Sequence, residues 1–489
     1  MKVRTIITQD AEVDDQNSLR HFLFYTNEVD LQGIVQTSSK FHWQGVEGAI
    51  KPENKDFGTK GKDFDLPFRW TGTDWMMEEI AQYEKDYPNL LKHSQDYPTP
   101  DYLRSIVKIG NIGYVSEMEK PSEGSDLIKE RILDDDPRPL YIQVWGGTNT
   151  IARALKDIQL QYENESNWKE LHEHISKKVI LTACGEQDTT YRDYIAEEWP
   201  DIQFVKTLQM KSYAYLWFVM PECESKDCLK AKFMKEEIMN GKSALADGYC
   251  TWLDGNYYQG EGEGAQFGAN PNIAKEWFGA RMMGLTDAQK YDFLSEGDSP
   301  TYFMLFDWGL RTLDSFAYGG VSGRYHKVNE VNSKGEPLNI WDVDQDLFTG
   351  YDGKEALQES MWRYVADIQR DFASRVDWAS KPNYNDGEHK PLLSIDEGVD
   401  ISAKAGQTIA LHAKASTTDQ TKACVNFRIY TDASSQIAKE TIMTTEQNSA
   451  KIIIPEYAQV GDQIHIVVQA QCDGHYKLTH YQQVIITIE

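Results

Sequence analysis

The chain has 489 residues, 40% hydrophobic and 26% charged, and its 77 acidic and 50 basic residues give a net charge of −27. This composition is typical of a globular protein and excludes a disordered chain, and the length predicts about two to four domains. Such a negative surface repels phosphate backbones and anionic membranes, and no run of about 18 apolar residues occurs, so we expect neither a nucleic-acid polymer as a partner nor a membrane span.

The N-terminal part of the chain alternates between strand and helix patterns. An apolar run at 3–8 is followed by an amphipathic stretch at 15–25 and a second apolar run at 29–37. This β-α-β order predicts parallel strands joined by a right-handed crossover. Further strands are predicted at 139–145, 178–183 and 202–205. We therefore predict a doubly wound α/β fold with a mostly parallel sheet.

The chain changes character towards its C-terminus. A helix at about 355–378 is predicted to end the α/β domain, and a polar linker follows at 382–391. Short alternating segments separated by turns then predict a small all-β sandwich of immunoglobulin type. We thus divide the chain into an α/β domain at 1–381, the linker, and a β-sandwich domain at 392–489.

Four carboxylates follow the first predicted strand directly: Asp10, Glu12, Asp14 and Asp15. Open α/β sheets bind ligands at the carboxyl ends of their strands. Crowded carboxylates repel one another, and a hard divalent cation would relieve this repulsion. For an isolated motif, a solvated turn that caps the next helix is the simpler explanation. Polar groups follow three further strand ends here, and this convergence favours a site.

The stretch from Ile7 to Asp15 resembles the opening strand and loop of nucleoside hydrolases, which carry an aspartate, three residues and then two aspartates. The likeness is closer to a sub-family of cellulose-binding proteins with a nucleoside hydrolase-like domain and a C-terminal β-sandwich. It extends over nearly the whole chain. Further matching stretches lie at 102–107, 144–150, 185–188, 296–300, 319–325 and 362–378.

The resemblance implies a Ca²⁺ ion at the bottom of a pocket. The protein ligands that it implies are Asp10, Asp15, Asp298 and a backbone carbonyl at Asn149 or its neighbour Thr148. Sugar hydroxyls and a water would complete the shell of oxygens that calcium takes. Asp10 would also be the general base for that water.

Sugar-binding roles follow from the same likeness for Asp14, Gln187 and Asp188, and Ser38 at the end of the second strand is a further candidate. A glycosidic bond breaks through an oxocarbenium-like state, which carboxylates around the ring stabilise. A single water-activating base opposite the leaving group predicts inversion at the anomeric carbon.

Two departures from the family pattern concern the leaving group. Thr8 stands where nucleoside hydrolases usually have an aspartate, and Gly297 stands where many carry a histidine that helps to protonate a purine. Glu296 is therefore our candidate general acid, with Glu261 and Glu263 as alternatives. A sugar or alcohol leaving group fits this chain at least as well as a nucleobase does.

The resulting expectation is a calcium-dependent glycosidase of nucleoside hydrolase type that acts on a furanosyl N- or O-glycosidic bond in a small sugar, nucleoside or glycan. The alternative is a non-catalytic protein that binds a cellulose-like polysaccharide and retains the metal pocket. Relatives favour a periplasmic or extracellular location, with the leader absent from this chain. A cytoplasmic location and a homo-oligomer both stay open.

Overall fold

The computed structural model describes residues 2–49, 63–255 and 288–489. An eight-stranded sheet organises the N-terminal domain. Its strands are β1 (Val3–Gln9), β2 (Val29–Gln36), β3 (Val107–Ile109), β4 (Leu140–Val144), β5 (Val179–Ala183), β6 (Gln203–Lys206), β7 (Tyr325–Lys327) and β8 (Ile340–Val343). The spatial order is β3-β2-β1-β4-β5-β6-β8-β7, and the pairs are parallel except for β7 with β8.

Helices cover both faces of this sheet. They are α1 (Val13–Leu23), α2 (Trp75–His93), α3 (Pro100–Ser105), α4 (Glu123–Leu133), α5 (Asn149–Tyr162), α6 (Trp168–Lys178), α7 (Ala196–Glu198), α8 (Met210–Tyr213), α9 (Glu224–Asp227), α10 (Ala231–Phe233), α11 (Pro300–Phe303) and α12 (Val365–Trp378). Successive strand residues point to opposite faces, so Ile6 and Ile7 of β1 belong to two separate hydrophobic cores. Shorter 3-10 and π turns lie at 191–195, 217–219, 234–238, 246–248, 316–318, 360–364, 384–386, 431–433 and 436–439. No helix in the described ranges is long and apolar enough to cross a bilayer.

The predicted helix at 355–378 is wrong in its first ten residues. Residues 355–359 form β10 (Glu355–Glu359), which pairs with β9 (Gln345–Thr349) in a hairpin. A 3-10 turn follows at 360–364, and α12 begins only at Val365. The sequence Glu-Ala-Leu-Gln-Glu has high helix propensity, but antiparallel pairing with β9 overrides it. Gly353, with φ of 76°, makes the turn between the two strands.

Two four-stranded sheets form the C-terminal domain. Their strands are β11 (Leu392–Ile395), β12 (Asp400–Ala403), β13 (Thr408–Ser416), β14 (Ala423–Ile429), β15 (Ile442–Glu446), β16 (Ser449–Ile453), β17 (Gln463–Cys472) and β18 (Thr479–Ile488). The orders are β11-β13-β16-β15 and β12-β18-β17-β14. The predicted α/β fold followed by an all-β unit is confirmed. The division at 381 and 391 stays a prediction; α12 ends at Trp378 and β11 begins at Leu392.

The sandwich packs directly on the α/β domain along a contact that we call the seam. Tyr430 and Tyr481 of the sandwich share one hydrophobic core with residues of α12. The backbone of Tyr481 donates a hydrogen bond to the Trp308 carbonyl at 3.0 Å. A Cβ on Gly309 would lie 1.8 Å from the Tyr481 carbonyl oxygen. The two backbones therefore touch at a position that only glycine can occupy.

Candidate functional site

An acidic cluster, which we define as Asp10, Glu12, Asp14, Asp15 and Asp298, lies at the carboxyl end of β1. The exposed fractions of its members do not exceed 8%. The Asp10 backbone donates to Asp15 Oδ1 at 3.0 Å, so the loop folds back over the start of α1. Ala11 permits this loop by adopting a φ of 70°, which is uncommon for a residue other than glycine.

The loop after β4 also approaches the acidic cluster closely. A Cβ on Gly146 would lie 2.8 Å from Asp10 Cβ, so the glycine at this strand end leaves room for the aspartate. Asp298 comes from a distant stretch of the chain, directly before α11. The predicted convergence of strand-end carboxylates therefore has a packing basis.

Two carboxylate oxygens of the acidic cluster have no hydrogen-bond partner among the described residues. They are Oδ2 of Asp10 and Oδ2 of Asp298, and both are buried. His42 Nδ1 lies 3.9 Å from Asp10 Oδ2, beyond hydrogen-bond distance. Buried polar atoms are nearly always paired, so these two oxygens indicate a group that binds from outside the chain.

Four carboxylates of the acidic cluster fall into two groups whose donor atoms are close enough to share an ion. One oxygen from each of Glu12, Asp14 and Asp15 lies within 4.8 Å of the other two. Asp10, Glu12 and the ring of His42 form a second such group. Carboxylate oxygens are the ligands that Ca²⁺ prefers, so the donor set fits a hard divalent cation.

Burial raises the pKa values of Asp14, Asp15 and Asp298 well above their usual range, and the charge on Asp10 raises all three further. The carboxylates therefore destabilise one another's charged forms. A bound cation would reverse this effect because it favours the ionised form of each ligand.

A cavity of about 470 Å³ opens above the acidic cluster. Glu12 and Asp14 line its floor, and the cations Lys40 and Arg69 line it as well. Arg69 pairs with Glu12 at 3.1 Å. Other parts of the wall are apolar or aromatic, made by Phe41, Leu208, Met210, Ala214 and Tyr215. The cavity thus combines an anionic floor with a wall suited to the C–H face of a ligand.

Asn149 and Ser38 lie at the same sheet edge as the acidic cluster, but they bond to the protein. The Asn149 amide donates to Ser38 Oγ at 3.0 Å and to the carbonyls of Asn111 and Glu117, each at 2.9 Å. Ser38 Oγ donates to the Tyr114 carbonyl at 2.7 Å. These side chains tie strand ends together. The metal-ligating backbone carbonyl at Asn149 or Thr148 and the sugar contact from Ser38 stay predictions.

Gln187 and Asp188 are neighbours with different surroundings. Asp188 accepts hydrogen bonds from the hydroxyls of Thr148 and Thr190, at 3.0 and 2.8 Å, and from the Asn149 backbone at 3.0 Å. It therefore holds the N-terminus of α5. Gln187 lines the cavity, and its Oε1 has no partner among the described residues. Of this pair, Gln187 is the one placed to contact a ligand.

Glu296 is fully buried and does not line the cavity. One of its oxygens accepts from the Tyr249 hydroxyl, and the other accepts from Ser299 Oγ at 2.5 Å and lies 2.8 Å from His21 Nδ1. Both oxygens are engaged within the protein, so the geometry gives the predicted general acid no access to a leaving group. The alternatives Glu261 and Glu263 lie outside the described residues.

The backbone of Gly297 borders the site. A Cβ there would lie 3.2 Å from Asp14 Oδ2 and 3.5 Å from Cys184 Sγ. Any side chain at this position would therefore enter the space above the acidic cluster. Glycine leaves that space open and supplies no proton.

Sequence reasoning missed three groups that the structure brings to the site. Glu12 was noted as an acidic neighbour but not as a ligand, although its carboxylate belongs to both close donor groups. His42 is fully buried beside Asp10, and Lys40 lines the cavity. Lys40 and His42 follow the polar end of β2 closely, and this position is the sequence feature that could have identified them.

Comparison with known proteins identifies the family. Residues 4–325 match the family described as "Cellulose-binding Sde182, nucleoside hydrolase-like domain". The chain belongs to this family. Residues 408–488 match the C-terminal domain of the cellulose-binding protein Sde0182, so the Sde182 likeness includes the sandwich. The predicted sub-family is confirmed.

One solved structure agrees with this assignment at the level of the fold. A nucleoside hydrolase-related protein from Saccharophagus degradans, described as associated with carbohydrate metabolism, is 24% identical, with full coverage of both chains and a TM-score of 0.72. A plant nucleoside hydrolase is 11% identical over 77% of this chain and 99% of its own, with a TM-score of 0.35. No curated protein matches this Sde182-family chain.

Proposed function

We propose that this Sde182-family protein binds a carbohydrate in the cavity above the acidic cluster, with a divalent cation, Ca²⁺, held between the cluster and the sugar. The observation that carries this proposal is the pair of buried, unpartnered oxygens on Asp10 and Asp298. The family's description as cellulose-binding supports carbohydrate as the ligand class and an extracellular or periplasmic location.

The residues present fit a calcium ion. Asp10, Asp15 and Asp298 would hold it, since the charges of Asp10 and Asp298 both act on Asp15. Glu12 has donor atoms close to those of Asp10 and of Asp15. An ionised carboxylate buried without a positive partner is costly, and a cation offsets that cost for several carboxylates at once. Oxygen donors dominate the set, which favours calcium over softer metals.

The side chains that line the cavity suit a sugar. Asp14 Oδ2 accepts a long hydrogen bond from Ser295 Oγ, at 3.4 Å, so it retains capacity to accept from a sugar hydroxyl. Gln187 Oε1 is a second free acceptor. The aromatic and apolar wall at Phe41 and Tyr215 would pack against the ring.

Hydrolysis of a glycosidic bond is the second candidate, and Oδ2 of Asp10 favours it. This oxygen is buried below the cavity but has no partner among the described residues, so it could take a proton from a water bound beside it. When bound, the metal would lower the pKa of that water. The leaving group receives less help, since Gly297 has no side chain and Glu296 is engaged elsewhere. Turnover would therefore be confined to leaving groups that depart with little protonation.

The test is calorimetric titration of chelator-stripped protein, first with Ca²⁺ and then with cello-oligosaccharides, ribose and nucleosides. We expect sugar binding only with calcium, and loss of it in Asp298→Asn. Asp101→Asn, at an exposed carboxylate on α3, is the matched control and should behave as wild type. Equal sugar binding in calcium and in chelator would contradict the proposal.

Product analysis on the same ligands separates the two candidates. Turnover in wild type that disappears in Asp10→Asn would establish a hydrolase with Asp10 as the base. Calcium-dependent binding with no product in wild type would establish a binding protein.

A further inference from the structure

A second cavity, of about 280 Å³, lies in the seam between the sandwich and α12. We call it the seam cavity. Polar side chains of both domains line it: Arg363, Asp367, Asn426, Arg428, Gln469 and Tyr481. It lies apart from the acidic cluster and shares no lining residue with the cavity above that cluster.

Strand register brings the sandwich residues of the seam cavity together. Asn426 of β14 pairs with Gln469 of β17, which pairs in turn with Tyr481 of β18. Arg428 follows two residues after Asn426, so both side chains point to the same face of the sheet. This face meets α12, and the two domains build the cavity jointly.

Arg428 is exceptional among the arginines of the described ranges. Every other one has a carboxylate oxygen within 4.0 Å, and Arg428 has none. Its guanidinium lies 4.9 Å from the centre of the Tyr430 ring. In a chain with a net charge of −27, an arginine that faces a cavity without an acidic partner indicates an anion from outside.

Arg363 on the opposite wall keeps one unused donor. It lies 3.4 Å from Asp346 and 3.8 Å from Asp432 and donates to the Leu347 carbonyl at 3.2 Å, but its Nε has no hydrogen-bond partner within the described part of the chain. Asp367 is the one acidic lining residue, and both of its oxygens accept hydrogen bonds, from Thr479 Oγ1 at 3.0 Å and from the Tyr481 hydroxyl. Burial also raises the pKa of Asp367, so its repulsion of an anion is reduced.

We propose that the seam cavity binds a single sugar ring that carries one anionic group, either a carboxylate or a phosphate. Arg428 and Arg363 hold the anionic group, because guanidinium groups match the geometry of both oxyanions. The amides of Asn426 and Gln469 bind ring hydroxyls. The volume lies below the about 300–1,000 Å³ of sites for drug-sized ligands, which limits the ligand to one ring.

The experiment uses the full chain and three probes: glucuronate, glucose 6-phosphate and glucose. Calorimetry should show binding of at least one anionic sugar, with glucose at least tenfold weaker. Arg428→Gln should weaken that binding at least tenfold, whereas Arg104→Gln, at an ion-paired arginine of α3, should leave it unchanged. The preferred probe distinguishes a carboxylate from a phosphate ligand.

Further arms keep the test decisive. Asn426→Ala, at an exposed position, should weaken binding several-fold and serves if Arg428→Gln does not fold. Asp298→Asn should leave anionic-sugar binding unchanged, which separates this site from the acidic cluster. Absence of binding at millimolar concentrations of both anionic sugars, or equally tight binding of acetate and inorganic phosphate, would overturn the proposal.

Discussion

The acidic cluster and the carboxylates around Arg375 are buried to a similar degree, but they differ in their ion pairs. In the described part of the chain Arg69 pairs with Glu12 alone, whereas both carboxylates around Arg375 have cationic partners. Asp371 lies 3.2 Å from Arg375 and 3.5 Å from Lys390, and Glu28 pairs with the same arginine. Burial would raise the pKa of Asp371, but Lys390, Arg375 and the Tyr25 hydroxyl hold it below its usual range. In the acidic cluster the pKa values move in the opposite direction.

This difference in pKa direction distinguishes carboxylates that stabilise the fold from carboxylates that are suited to bind a ligand. Around Arg375 the fold supplies every partner, and the charges stabilise the junction of α12 with the linker. In the acidic cluster the described residues leave two oxygens unpaired, and we propose that the missing positive charge comes with a ligand. Four predictions test this contrast.

Removing Arg375, the cation that pairs with Asp371 and Glu28, should have the largest effect on the free energy of unfolding. Arg375→Met leaves Asp371 and Glu28 buried without compensation and also removes the contact of the guanidinium, 3.9 Å from the Tyr25 ring centre. We expect the free energy of unfolding to fall by about 3–5 kcal/mol. Denaturant unfolding measures it, and Arg104→Met, at a surface ion pair, should cost only about 0–1 kcal/mol. Equal losses in the two variants would remove the basis of the comparison.

The next largest effect should come from two matched glycines. Gly309→Ala places a methyl group against the Tyr481 carbonyl and forces alanine to a φ of 75°, and we expect a loss of about 2–4 kcal/mol. Gly297→Ala meets only side-chain ends, of Asp14 at 3.2 Å, Leu208 at 3.3 Å and Cys184 at 3.5 Å, and should cost less than about 1 kcal/mol. Thermal unfolding compares them. A tolerant position 309 would show that the seam is looser than described.

Calcium should stabilise the wild-type protein by about 2.7 kcal/mol at a hundredfold excess over the dissociation constant. Asp298→Asn should lose most of this increment and should be more stable than wild type in chelator, because one source of repulsion is gone. Asp188→Asn is the informative control. Its carboxylate is already saturated by the protein, so the variant should be less stable in both conditions and keep the calcium increment. A wild type that does not respond to calcium contradicts the metal assignment.

The smallest effect is a difference in pH dependence. The raised pKa values of Asp15 and Asp298 mean that stability in chelator is present below the unfolded value of about 3.9 and is lost as pH rises through the folded pKa. The lowered pKa of Asp371 means that its contribution is present above about 3.9 and is lost as pH falls. The advantage of Asp298→Asn should therefore grow with pH, and the cost of Arg375→Met should shrink at low pH. Unfolding curves between about pH 3 and 7 check both slopes.

Much of the fold could be predicted because buried parallel strands have nearly continuous apolar sequences. The runs at 29–37 and 178–183 fall within two residues of β2 and β5. The strand β10 at 355–359 could not be predicted, because pairing with β9 overrides the helix propensity of its own residues.

The sequence indicated where the candidate site lies but not which hydrogen bonds its side chains make. The end of β1 drew attention to Asp10, and the resemblance to nucleoside hydrolases grouped Asp298 with it. The engagement of Glu296 depends on His21, which is 275 positions away, and that of Asp188 depends on the folded start of α5. Such pairings arise only when distant segments meet, so the residue types alone give no sign of which carboxylates the protein already satisfies.

The contact of Gly309 with Tyr481 also bears on how the protein would meet an extended substrate. A binding domain attached by a flexible linker raises the local concentration of its neighbour's ligand, because it samples many orientations. Here the sandwich is packed directly against the α/β domain. The gain in local concentration is therefore replaced by a fixed distance between the two units. Any polymer that reaches both units would have to span one set distance, and chain length would then become a selection criterion.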